Sequence, residues 1–131
     1  MALLPSEQSG GGIEWTLISE THITGTNTTS SENNTIHPNI NISGYKELLI
    51  TVSYYKDSDG YAIRNSTQAP VSDANIDSGR TISTNWLVAD NGMLNATAII
   101  RNYVIDDLRA YLNNTGINHS GYTCYAKLYA R

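Results

Sequence analysis

From Tyr122 to Arg131 the chain alternates without a break: Tyr122, Cys124, Ala126, Leu128 and Ala130 fall on one side, and Thr123, Tyr125, Lys127, Tyr129 and Arg131 on the other. Successive side chains of a strand point to opposite faces, so this spacing predicts a half-buried strand with a small apolar face and a wet face. A terminus that is strand to its last residue must be tied into a sheet. The expectation is an all-β fold closed by its final strand. Tyr125, Lys127, Tyr129 and Arg131 put two rings and two cations opposite a face that already reads as buried. Tyr is favoured at interfaces for its flat apolar ring and polar tip. These four residues are therefore the candidate oligomer interface.

The same alternation recurs upstream. Ile13, Trp15 and Leu17 share a side of one short run, with Thr21–Gly25 continuing it after a bend. Residues 26–34 read as a polar loop, 35–37 as brief extended chain before Pro38, and 39–43 as a short alternating run ended by Gly44. Tyr45–Tyr55 is the strongest strand, with Leu48, Ile50, Val52 and Tyr54 on one face. Lys56-Asp-Ser-Asp-Gly60 turns it back into Tyr61–Arg64, a hairpin. Residues 65–80 read as a long loop, Thr81–Ala89 as a strand, Asp90-Asn-Gly92 as a turn and Met93–Val104 as a strand. Residues 105–112 fit either a helix or a strand, and their all-β surroundings favour strand. Asn113–Gly116 turns the chain into the last strand. About eight strands at short spacing predict a single antiparallel β-sandwich, jelly-roll-like, over residues 13–131. Residues 1–12 are a flexible N-terminal segment ending in the Ser9-Gly-Gly-Gly12 hinge.

Composition narrows the function. The 131 residues include nine Tyr, two Trp, no Phe and one Cys, and the net charge is −4. That balance opposes nucleic-acid binding, which needs a basic footprint. With Cys124 alone there is no disulfide and no cysteine-based zinc site. No apolar run reaches membrane-spanning length, and the N-terminus lacks the basic and apolar regions of a signal peptide, so neither membrane insertion nor secretion by that route is expected. Seven Asn-x-Ser/Thr triplets are accounted for by the high Asn, Ser and Thr content.

Constellations that carry chemistry are sparse. His22, His37 and His119 are far apart. Asp57-Ser-Asp-Gly60 resembles the opening of a calcium loop without its closing glutamate, and reads as turn chemistry. Asp106 and Asp107 with Asp73 and Asp77 could supply a glycosidase carboxylate pair, and they read as solvated. No catalytic residue, metal or cofactor is expected. If a saccharide is bound, the candidate residues are Tyr55, Asp57, Asp59 and Tyr61: rings stack on sugar C–H faces, carboxylates accept sugar hydroxyls, and both sit on one protruding turn.

Trp15-Thr-Leu at the start, Glu47-Leu-Leu-Ile-Thr-Val52 in the first long strand and Ala126-Lys-Leu-Tyr-Ala-Arg131 at the end resemble small β-sandwich modules of phage and prophage tail appendages. The resemblance implies a non-enzymatic virion component, commonly trimeric: a tail-fibre or receptor-binding domain, or a decoration protein. It implies attachment to a cell-surface saccharide or to other virion proteins, and synthesis in the bacterial cytoplasm. The alternative is a carbohydrate-active enzyme or a free lectin of the same fold class.

Overall fold

The computed structural model describes residues 14–26, 30–89, 92–114 and 120–131. The Ser9–Gly12 hinge, His119, and most of the turns expected at 90–92 and 113–116 lie outside them. Among the described residues nine strands form two antiparallel sheets: β1 Thr16–Thr24, β2 Glu32–Ile36, β3 Ile40–Asn41, β4 Glu47–Lys56, β5 Gly60–Pro70, β6 Arg80–Ala89, β7 Gly92–Arg101, β8 Val104–Asn114 and β9 Thr123–Ala130. One sheet has the order β1-β9-β4-β5, and the other β2-β8-β7-β6 with β3 also on β8. The all-β sandwich is as the alternation predicts. First strand pairs with last and second with next-to-last, the outer winding of a jelly roll. The middle of the chain instead forms a β4–β5 hairpin in one sheet and a β6–β7–β8 meander in the other.

Inward faces of the long strands meet in one core. Leu48, Ile50 and Val52 of β4, Leu94, Ala96, Ala98 and Ile100 of β7, Ile105, Leu108, Ala110 and Leu112 of β8, and Cys124, Ala126, Leu128 and Ala130 of β9 are all buried. Alanines opposite leucines and isoleucines let the two sheets interlock at close-packed density. Burial pushes the Cys124 thiol up to about 12, so it is packing rather than a nucleophile.

Three readings of the sequence differ from the structure. Residues 32–34 are not loop but part of β2, an edge strand on β8. Its residues are mostly exposed, so it carries no apolar alternation to announce it. Residues 65–70 are not loop either: β5 runs on to Pro70, paired with the length of β4 from Glu47 to Val52. The backbone ladder, not side-chain burial, holds this polar stretch. Met93–Val104 is interrupted at Asn102 and Tyr103, whose φ values of 51° and 64° make the tight turn between β7 and β8. Both being positive is the backbone of a type I′ hairpin, usually announced by glycine. Trp15 and Leu17 do share a side, that of Tyr129 and Arg131, where Arg131 covers Trp15 and Leu17 is 44% exposed; the bulge in β1 falls after them, between Leu17 and Ser19. Residues 105–112 are strand, within β8.

Candidate functional site

The outward face of the four-stranded sheet gathers most of the aromatic candidates. In register, β9 places Tyr125, Lys127 and Tyr129 between His22, Glu20 and Leu17 of β1 and Ser53, Thr51 and Leu49 of β4. Tyr61, opposite Tyr55 across the hairpin, donates its hydroxyl to Ser53 Oγ at 2.9 Å. Its ring meets Tyr125 edge-on at 5.6 Å between centroids, and His22 lies 5.6 Å from Tyr125 on the other side. Such tilted pairs are the preferred aromatic geometry. Lys127 Nζ sits 5.1 Å from the Tyr61 centroid and 3.8 Å from Glu20 Oε2. Burial is the largest influence and disfavours its charge, but the hydrogen bond to Tyr61 and the interactions with the Tyr61, Tyr129 and Glu20 charges together outweigh it and hold its pKa above the ordinary lysine value. Arg131 lies 4.2 Å over the Trp15 ring and bonds Glu47 Oε1 at 3.0 Å. The Gln68 and Arg131 bonds hold the Glu47 carboxyl below its ordinary pKa.

The two groups singled out from sequence are thus partly one surface. Tyr55 and Tyr61 of the hairpin continue the Tyr125, Lys127, Tyr129, Arg131 row. Beneath these side chains Leu49, Thr51 and Ser53 are almost fully buried, so β4 is covered on both faces. The chain's own residues on this face, not a second subunit, provide that cover. Tyr55 and Tyr61 remain 40% and 44% exposed at its edge. The Tyr55 hydroxyl bonds Asp57, which pushes its pKa up.

Asp59 does not join them. It turns to the inward side of the hairpin, where its Oδ2 accepts the Tyr54 hydroxyl at 2.8 Å and its Oδ1 the Ser58 hydroxyl at 3.2 Å. These bonds, Tyr54 first, hold its carboxyl below the ordinary range. Arg64 donates to Tyr54 Oη at 2.6 Å and lies 4.4 Å over the Tyr54 ring and 5.5 Å from that of Trp86. Tyr122 packs on Tyr54 at 5.5 Å, with Lys56 4.4 Å above it. Tyr54, Asp59, Trp86 and Tyr122 enclose a cleft of about 170 Å³ at the end of the sandwich. The sequence reading passed over Arg64 and gave Trp86 and Tyr122 no role beyond their strands. A strand-face count cannot predict Arg64, because it is the extra residue of a bulge in β5, opposite Val52 and Ser53 of β4.

The opposite sheet presents a different surface. Asn95 Nδ2 donates to Ser83 Oγ and Asn85 Oδ1, and Thr97 Oγ1 to Asn95 Oδ1, giving a self-satisfied polar ladder. Asp107 bonds His37 at 2.6 Å, and Asp106, displaced by a bulge in β8, lies 3.4 Å from Arg101. Asp106 and Asp107 are therefore each engaged with a different basic side chain. Asp73 belongs to a larger groove of about 480 Å³ between β5 and β6, floored by Leu48, Ile82 and Ile100. Among the described residues no cluster of three or more His, Cys, Asp or Glu is placed to hold a metal.

The chain matches no protein-family model, and neither the curated proteins nor the solved structures gave a match.

Proposed function

We propose that the chain is a non-enzymatic attachment module of a phage particle, a tail-fibre or receptor-binding domain or a decoration protein, which associates with its own copies through the outer face of the four-stranded sheet. The observation that carries this reading is the contrast between the two outer faces. One has a hydrogen-bonded Asn, Ser and Thr ladder, with Leu87 exposed beyond its end. The other has Leu17, Tyr55 and Tyr61 each at least 40% exposed on rigid strands beside Tyr125, Lys127 and Tyr129. Aromatic residues fixed on strands offer contact area at low entropic cost. The resemblance of the Trp15, Glu47–Val52 and Ala126–Arg131 segments to phage appendage modules supports the virion setting, and three copies about an axis is the assembly it implies. The glycosidase alternative is supported less, since it needs two carboxylates flanking one bond, and Asp106 and Asp107 are engaged by separate partners, Arg101 and His37.

The test is retention of the labelled chain on a panel of intact bacterial cells, run beside a Tyr61→Glu variant that puts a charge into the aromatic face. Retention of the wild type, weakened by about a hundred-fold or more when association is lost, is the expected result, because linked sites gain avidity without new contacts. Turnover of a glycan panel by the purified chain would contradict the non-enzymatic reading.

A further inference from the structure

The structure assigns a ligand to the cleft at the sandwich end: we infer that Tyr54, Asp59, Trp86 and Tyr122, with Arg64 stacked against them, bind the terminal residue of a neutral saccharide. This rests on the attachment reading and gives its ligand a class and a site. Three independent features converge there. First, the β5 bulge leaves Arg64 as the extra residue, between Ile63 and Asn65, which face Ser53 and Val52. Bulges re-aim side chains, often beside functional sites. Here the result is a guanidinium held against Tyr54 and Trp86, with its Nε buried and lacking an acceptor. Second, a hydrogen-bond chain runs from Arg64 through the Tyr54 hydroxyl to Asp59, ending in an ionised carboxylate at the cleft wall. Third, Trp86 on β6 forms the facing wall and stays 41% exposed although its strand partner, Leu94, is core.

The chemistry of this set selects the ligand. Aromatic walls offer faces to the C–H side of a pyranose, Asp59 retains acceptor capacity for hydroxyls, and Arg64 retains a donor. A cationic ligand, the other habitual occupant of an aromatic cage, meets two cations already on these rings: Lys56 at 4.4 Å from Tyr122 and Arg64 at 4.4 Å from Tyr54. An anionic ligand meets the Asp59 charge. The opening, about 170 Å³, is below the roughly 300–1,000 Å³ of pockets for drug-sized molecules, so it suits one ring at the end of a chain rather than a long segment.

The chain has two tryptophans, and only Trp86 lines the cleft, Trp15 lying under Arg131. Titration of a Trp15→Phe background with methyl glucosides, galactosides and mannosides and with N-acetylglucosamine, read by Trp86 fluorescence, tests the inference directly. At least one sugar is expected to shift the emission saturably. Asp59→Asn should weaken that sugar by about ten- to a hundred-fold, and Thr35→Ala, at an exposed position of β2 on the other sheet, should leave it unchanged. Circular dichroism of each variant reports the fold. Because Trp86→Ala removes the probe, its binding is followed by calorimetry, with loss expected. The inference is overturned if no sugar in the panel binds, if Asp59→Asn and Trp86→Ala bind as the wild type does, or if tetramethylammonium binds as tightly as the best sugar. Retention on cells that survives in Asp59→Asn and Trp86→Ala would remove this site while leaving the attachment reading standing.

Discussion

Glu47 and Asp59 show how single carboxylates tie this surface together. Both have folded-state pKa values below their ordinary ones, Glu47 through Gln68 and Arg131, Asp59 through Tyr54 and Ser58. A depressed folded pKa means that the unfolded chain takes up the proton first. The stability they contribute is therefore complete above their ordinary values of 4.5 and 3.8 and is lost as pH falls through the lowered folded values. The urea midpoint is expected to be level from neutral pH to about 5 and to fall below about 4.5. Glu47→Gln and Asp59→Asn should each flatten that fall. An acid limb unchanged in both variants would show that other groups set it.

At the scale of elements, the hairpin between β7 and β8 is the least expected feature. Asn102 tolerates positive φ because its short polar side chain bonds locally, whereas a β-branched residue does not. Three backbone hydrogen bonds hold the turn: Asn102 N–H to Ile76 O, Tyr103 N–H to Ala74 O, and Ile42 N–H to Tyr103 O. Asn102→Val should cost about 1–3 kcal/mol and Asn102→Gly much less, as read in denaturant titrations. Equal costs would mean that φ is not what the turn demands. This turn also marks where the sequence stops being legible. β7 and β9, which bury one face, and β4, whose inward face is apolar throughout, are readable because apolar residues recur there with the strand's own period. β2 and the far half of β5 are not, since backbone pairing holds them and their side chains are mostly wet. The candidate residues follow the same division. Tyr55 and Tyr61 could be paired from the hairpin turn alone, and the Tyr125–Arg131 row from alternation. Arg64 sits at a bulge, Trp86 comes from the other sheet, and Asp59 turns away from the tyrosines beside it. Register and sheet-to-sheet packing decide all three, and neither is written in local spacing.

At the scale of the molecule, the proposed function gives the sandwich two working regions. The outer face of the four-stranded sheet is broad, aromatic and rigid, fit for contact with another copy. The cleft beside the hairpin is small, polar and aromatic, fit for a sugar. If copies assemble through the face, each brings one cleft, and weak sites become an avid array. The central claim is that this face is a contact surface. Light scattering of the purified chain at micromolar concentration, beside Tyr61→Glu, tests it most directly. The account predicts a wild-type species at three times the chain mass of 14.3 kDa, and a shift to the single-chain mass in the variant with its circular dichroism unchanged. A wild type that stays at 14.3 kDa across that range would contradict it.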